Sequence, residues 1–466
     1  MERVKSGRNR KFEFPHVFVI LFSLVVIVAI ATYFIPAGEY EREMSETGTE
    51  TVVDGTYSTI EKTPVGFFDI FQSIHAGMVN SAEIIFFIFI VGGAFGILNA
   101  THALTGAFGS LSKKLAGREM LIIPITMSAF ALGGATFGMA EESIPFIMIM
   151  VPVAIMIGFD SMVGLAMVLV GVYAGFIAAF MNPFTVGVAQ GISGLATFSG
   201  MGVRAVFFVI FLAASIAYVM IYARKIKKDP SKSLVYEEDK QRETEVNLEE
   251  QPEMTKRQGL IVGVLILTVI GLALGVTLQG WYMQEIAGLF LLMGIIVGFI
   301  ARMRVNEMAQ SFLKGCEELV VGALVVGFAY GILVVLQDTN TIDTLLYSIS
   351  SMVSGLPSSL AALGMLFTQS LLNFVVPSGS GQAALSMPIM APLGDLLGVE
   401  RQTAVLAYQF GDGISNILTP TAGVLMASLA VAKISWVKWV KWAWPLLVIW
   451  YILAAIFVTV AHLFIW

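Results

Sequence analysis

The chain has 466 residues, of which 57% are hydrophobic and only 13% charged, with a mean hydropathy of +0.83 and a formal net charge of −6. Soluble domains carry roughly a quarter charged residues, so this balance excludes a soluble globular protein and implies a polytopic membrane protein. The few Lys and Arg fall in separate groups rather than on one basic face, which gives no case for nucleic-acid binding, and the lone Cys316 admits no internal disulfide.

In chain order, Arg3, Lys5, Arg8, Arg10 and Lys11 precede an apolar first span at 16–35, which has no A-x-A cleavage site after it and is read as retained. An acidic loop (Glu39 to Asp54) and an amphipathic approach lead to a second span at 83–99. Residues 101–118 are too polar to span and are read as interfacial. Segment 119–158 is apolar but interrupted at Thr136 to Ser143, the pattern of a re-entrant hairpin. The stretch 160–198 is too long for one span at about 1.5 Å per residue, and it breaks at Asn182-Pro183-Phe184-Thr185. A span at 204–222 ends in Arg224, Lys225, Lys227 and Lys228 and enters a charged linker, 223–258, whose composition suits a solvated, flexible connector.

The second half begins with scaffold spans at 259–277 and 282–301. A span at 317–336, an interfacial segment at 340–353 and a second hairpin candidate at 358–398 follow. Element 401–433 breaks at Asn416 to Pro420, and a last span covers 444–463. With the N-terminus cytoplasmic, nine full spans and two hairpins place the basic clusters inside, as the positive-inside rule requires. Arg204 and Arg401 flank spans on the outer side and are read as interfacial anchors. Trp436, Trp439, Trp442 and Trp444, set among lysines, read as an interfacial belt.

The halves repeat. Glu83, Phe95, Gly96, Ile97 and Leu98 align with Glu318, Tyr330, Gly331, Ile332 and Leu333; Pro152 and Gly158 with Pro392 and Gly398; Asn182 and Thr185 with Asn416 and Thr419. Glu142 then stands opposite Gln382. The first copy, 83–222, starts with an outside-to-inside span and the second, 317–466, with the reverse, so the repeat is inverted. The fold class is therefore an all-α polytopic membrane protein with an inverted-topology repeat, two re-entrant helical hairpins and broken helices, a construction common among secondary transporters. Residues 1–82 form an N-terminal span and extracellular loop ahead of it.

Broken helices at membrane depth leave backbone groups that only buried or cavity-lining protein can satisfy. The hairpin tips and helix breaks therefore supply the candidate substrate site: Thr136, Glu141, Glu142, Ser143, Asn182 and Thr185 from the first half, and Ser378, Gly379, Ser380, Gly381, Gln382, Asn416, Thr419 and Thr421 from the second. Half-helix N-termini suit a substrate carboxylate, and unwound carbonyls with Asn182, Asp412 and Asn416 suit a sodium ion. Glu141, Glu142 and Asp412 have no Lys or Arg within the tips or breaks, so the site is acidic. That favours a cation, a proton, or a substrate bearing an ammonium or guanidinium group. Four scattered histidines support no transition-metal site, and no catalytic constellation is present; the chain is read as a non-enzyme without cofactor, with Na+ or H+ as coupling ion.

The stretches PHVFVILFSLVVIVAIATYFIPAGEYER and VVPSGSGQAALSMPIMAPLGDLLGVERQTAVLAYQFGDGISNILTPTAGVLMASLAVAKISWVKWVKW resemble the YfcC-like branch of the DcuC-type C4-dicarboxylate anaerobic carriers, within the ion transporter superfamily. The resemblance covers essentially the whole chain. It implies an elevator-type secondary transporter of the bacterial cytoplasmic (inner) membrane, commonly a homodimer, with two opposed hairpins in a moving domain. Relatives are linked to C4-dicarboxylates and other organic anions, and some in this branch to arginine/ornithine exchange. The superfamily's dicarboxylate carriers have Ser-Asn-Thr-type motifs at the hairpin tips, whereas the first tip here, GMAEES, adds two acids. The expected function is cation-coupled symport or exchange of a small carboxylate-bearing metabolite, a C4-dicarboxylate or an amino acid. The alternative is a basic amino acid (arginine/ornithine) antiporter, with a channel or a membrane enzyme ranked below both.

Overall fold

A computed structural model describes residues 17–44, 50–103, 118–136, 138–196, 198–245, 255–279, 281 and 283–466. The basic cluster at 3–11 and most of the expected interfacial segment at 101–118 lie outside them. Among the described residues, seven helices are long and apolar enough to cross a membrane, and two shorter apolar helices, Leu21–Thr32 and Ser161–Ile177, accompany them. With no water in hydrocarbon to bond the backbone, an apolar chain of this kind settles into helices.

The first helix, α1 (Val17–Thr32), precedes a small cap of two-stranded antiparallel pairs, β1 (Gly38–Glu39) with β4 (Ser58–Thr59) and β2 (Arg42–Met44) with β3 (Glu50–Val52). The cap is tied down at Asp343, whose carboxylate accepts from Arg42 Nη2 at 2.9 Å and from the Tyr40 amide at 3.0 Å. Next come α2 (Asp69–Asn80) and α3 (Ala82–Ala100), which kink at Ser81. Together they run antiparallel along α12 (Val305–Asp338), which extends well past the expected 317–336. Glycines make this approach possible: a Cβ on Gly77 would lie 2.5 Å from the Gly327 carbonyl oxygen, and one on Gly96 2.3 Å from that of Ser311.

Two helix pairs follow one plan. In the first half α4 (Ile122–Thr136) and α5 (Ile144–Met156) pack on α6 (Ser161–Ile177), where Gly175 meets the backbone of Ala131. In the second half α14 (Ser358–Val375) and α15 (Gly379–Leu397) pack on α16 (Arg401–Asn416), where Gly411 meets Leu366 and Gln369. Each of the two core helices is buried along its length. Each is followed by a break and a short helix: α7 (Val188–Ile192) in the first half and α17 (Gly423–Val431) in the second.

Helices α8 (Met201–Lys228) and α18 (Trp436–Val460) flank this body, with Phe207 stacked on Phe457 at 4.3 Å between ring centroids. Helix α11 (Met283–Ile300) packs beside α3 and α10 (Lys256–Gln279) packs on α11, while α13 (Ile342–Ser354) links the cap to the second pair.

The linker departs from a solvated, flexible connector. Its residues 236–245 form α9 (Tyr236–Glu245), which docks on the body. Asp239 accepts from the Ser161 amide at 2.7 Å, Arg242 donates to the Ala432 carbonyl at 2.6 Å, and Glu238 pairs with Lys438. Its acidic first turn meets Lys438 and the first amide of α6, which a composition reading does not reveal.

Candidate functional site

The two breaks are built to satisfy their own backbone. At the first, Asn182 Oδ1 accepts from the amides of Phe184 and Thr185 at 2.9 and 3.3 Å, capping the next helical turn. The amides of Phe180 and Met181 donate to the Ala135 carbonyl, and Gln409 Nε2 donates to that of Phe176 at 2.6 Å. At the second break the Ile417 and Leu418 carbonyls accept from the indole N–H groups of Trp439 (2.8 Å) and Trp436 (3.0 Å). The expected tryptophan belt is therefore corrected. Trp439 and Trp442 are buried, Trp436 and Trp439 serve the broken helix, and Trp444 alone is largely exposed.

The tips sit on these breaks. Gly138, at φ +74°, lies so close to Asn182 that a Cβ would come within 2.6 Å of its Oδ1. Glu142 folds back to accept from the Ala140 amide at 3.0 Å, and Ser143 donates to the Ala140 carbonyl. At the second tip Ser378 caps α15 by accepting from the Gly381 amide, and the Tyr408 hydroxyl holds the Gly379 carbonyl at 2.6 Å. A Cβ on Gly379 would lie 2.5 Å from Thr185 Cγ2 and 3.4 Å from Asp412 Oδ2, so the second tip rests on the first break.

Between them lies a cavity of about 420 Å³, within the range of small-ligand sites. Of the expected residues, Glu141, Glu142, Thr185, Ser378, Gly379, Ser380 and Asn416 line it. Asn182 and Asp412 are buried behind the lining, under Gly138 and Gly379. The others point elsewhere. Thr136 bonds its own helix at the Leu132 carbonyl, and Thr421 donates to the Phe374 carbonyl. Ser143 and Thr419 are buried off the cavity, and Gln382 is buried between the arms of its pair, donating to the Gln369 carbonyl and side chain. The residue opposite Glu142 in the repeat is thus a clasp rather than lining.

Gly381 lines a second cavity of about 370 Å³ with Val376 and Leu385, on the side of the cap residues Glu39 and Arg42. The second tip is therefore a wall between the two cavities.

Sequence reasoning missed the contribution of α2 and α3. Asn80, Ser81 and Glu83 line the cavity at the kink, with Tyr173 and Tyr330 beside them. The available signal was the polar trio inside an apolar run, with Glu83 noticed only as a mark of the repeat. Among the described residues, the lining thus carries Glu83, Glu141 and Glu142 and no Lys, Arg or His. At the breaks, Asp412 Oδ2, Thr185 Oγ1, Asn182 Nδ2 and Thr419 Oγ1 are buried with no hydrogen-bond partner among the described residues. Asp412 Oδ1 accepts from Asn416 Nδ2 at 3.0 Å. No group of three or more His, Cys, Asp or Glu suited to a metal ion occurs among the described residues.

A multi-pass helical body around a polar, acidic cavity at two helix breaks is the make-up of a membrane carrier for small molecules. The chain belongs to the DcuC family, the C4-dicarboxylate anaerobic carriers, whose model matches residues 14–463. It is similar to the putative basic amino acid antiporter YfcC of Escherichia coli, at 36% identity over 98% of each chain. It is also similar to an uncharacterized protein of Haemophilus influenzae, at 31% identity over 92% of this chain and 93% of that one. Among solved structures, MtrF of Neisseria gonorrhoeae, described within a class of antimetabolite efflux pumps, aligns over 98% of this chain and 96% of its own at 17% identity and a TM-score of 0.41.

Proposed function

We propose that this carrier exchanges basic amino acids. The observation that carries the reading is the cavity lining, in which Glu83, Glu141 and Glu142 face a site with no positive side chain among the described residues. A dicarboxylate would meet three acids there, whereas an ammonium or guanidinium group would be held by them. The substrate α-carboxylate would lie at the N-terminus of α15, where Ser378 to Ser380 present the start of a helix. The name of the Escherichia coli relative supports the same class.

In this proposal the two pairs are re-entrant hairpins of opposite orientation. Both ends of the first meet one segment: Glu119 pairs with Lys227, and Asp160 accepts from Tyr222 and Ser233. The arms of the second pair pack together away from their tip, with Met365 of α14 and Val399 after α15 on Gly394. The hairpins, α6, α16 and their flanking helices would move as an elevator against a scaffold of α2, α3 and α12, in a homodimer, in the bacterial inner membrane with the N-terminus cytoplasmic.

A second reading concerns coupling. Asp412 Oδ2 and Thr185 Oγ1 are buried beside Gly379 without partners among the described residues, which favours Na+ or H+ bound under the second tip, with Asn182 and Asn416 adding oxygens. The deciding experiment is counterflow in proteoliposomes loaded with arginine. Labelled arginine or ornithine should enter and labelled succinate should not; succinate entry with no arginine counterflow would overturn the proposal. Dependence of the rate on external sodium at fixed pH separates ion coupling from simple exchange.

A further inference from the structure

Arg204 departs furthest from its expected place. It is not an interfacial anchor: the residue is fully buried, and its Nε, Nη1 and Nη2 have no hydrogen-bond partner among the described residues. Arg401, by contrast, is a surface residue paired with Asp395. A buried lysine can shed its proton, but a guanidinium stays charged, so burial without a counter-charge is costly. No carboxylate forms an ion pair with Arg204 among the described residues.

The surroundings are defined by two layers of contacts. In one layer Gly200 abuts the Trp466 ring and Gln402 Oε1, at 2.8 and 3.5 Å from where its Cβ would stand. In the other, Phe207 stacks on Phe457 and lies 6.3 Å from Phe410. Arg204 falls between these layers on α8. Thr403 falls between them on α16, and His462 on the turn after α18. Thr403 is fully buried with Oγ1 unpartnered, and His462 Nδ1 is buried and unpartnered. Three helical segments thus bring unsatisfied polar atoms to one level, and two of those segments, α8 and α16, begin there with the positive ends of their dipoles.

We infer that Arg204, Thr403 and His462 form a binding site for a small monovalent anion of halide size, separate from the transport cavity. Every group can act as a donor: the guanidinium through its N–H groups, threonine through its hydroxyl, and histidine through the Nδ1–H tautomer. Full enclosure of the guanidinium requires the ligand to be enclosed with it, which rules out a metabolite-sized anion. The bound anion neutralises the charge and locks α8, α16 and the C-terminal turn together.

The test uses purified full-length protein in detergent, with chloride titrated against gluconate at constant sodium and ionic strength. A ligand that binds only the folded state raises the melting temperature with its concentration, here by about 2 °C at saturating chloride. Arg204→Met should abolish the response, and Thr403→Val should move its midpoint to higher chloride. Bromide should give an anomalous peak beside Arg204 in crystals. Equal melting temperatures in the two salts for the unaltered protein would overturn the inference, as would an Arg204→Met variant that keeps the full response. If that variant does not fold, the Thr403→Val midpoint decides, and an unchanged midpoint counts against the site.

Discussion

The contact of Gly379 with the first break can be tested by a single methyl group. In Gly379→Ala the new Cβ would stand 2.5 Å from Thr185 Cγ2, where carbon atoms need about 3.5–4.0 Å, so the tip must retreat by about 1 Å. Thr185 cannot yield cheaply, because it is buried and β-branched, with a stiff χ1. Overpacking of this kind costs about 1–3 kcal/mol. The better helix propensity of alanine in the first turn of α15 acts equally on a seated and a lifted tip and does not offset this cost. The seated tip should then lose about 1–3 kcal/mol relative to a lifted one, a shift of about 5–150-fold in its occupancy. The assay is thiol labelling of a cysteine at Ser380, with and without substrate, in the parent and in the Gly379→Ala background. Labelling should be faster in the variant at every substrate concentration, and counterflow should need more substrate for half-maximal rate. Identical labelling and identical half-saturation would refute the contact as a determinant of tip position.

Glu142→Gln should raise the substrate concentration for half-maximal counterflow about tenfold or more while leaving the melting temperature within a degree or so, since a hydrogen bond to a charged group contributes about 1.5–3 kcal/mol; unchanged transport kinetics would remove Glu142 from the site. Trp439→Phe keeps the buried ring but leaves the Ile417 carbonyl unpaired, at about 1–3 kcal/mol, and should lower the melting temperature by a few degrees. Trp444→Phe, on an exposed side chain, should not. Burial holds the Asp239 carboxyl above its usual range despite the bond from the Ser161 amide. The docked linker therefore binds its proton more tightly than a released one, so in a Glu238→Gln background, which removes the opposing carboxylate paired with Lys438, docking is firmest at low pH and weakens as pH rises from about 4 through the docked value. Hydrogen exchange in residues 236–245, corrected for the intrinsic rate, should quicken over that interval, and a flat profile would contradict the assignment.

The breaks at Asn182-Pro183 and Asn416 to Pro420, and the tips around Gly138 and Ser378, were legible because proline, glycine and polar residues inside apolar runs leave few alternatives to interrupted helices. Other features depended on tertiary neighbours. The kink at Ser81 has helix on both sides and no proline or glycine at the bend, so the polar trio Asn80, Ser81 and Glu83 marked the spot without showing that Glu83 would reach the cavity. Gln382 lies one helical turn from the tip, and only the rotation of α15 decides that it faces Gln369 instead of the cavity. Trp436 and Trp439 follow the pattern of interfacial residues, and their partners are carbonyls on a different element. Arg204, at the end of an apolar run, reads as an anchor until the packing of Trp466 and Phe457 encloses its level.

The second tip, with the central cavity at Pro377 to Ser380 and the cap-side cavity at Val376 and Gly381, has an electrical consequence. A thin low-dielectric partition between two polar cavities concentrates the membrane potential across itself instead of spreading it over the bilayer. Each elementary charge moved through the full potential is worth about 2.3 kcal/mol per 100 mV. With the tip and its bound substrate moving together, one-for-one exchange of two substrates of equal charge would proceed without sensing the voltage. Exchange of a cationic substrate for a neutral one would be driven by it, and the current recorded across a planar bilayer would report the stoichiometry directly.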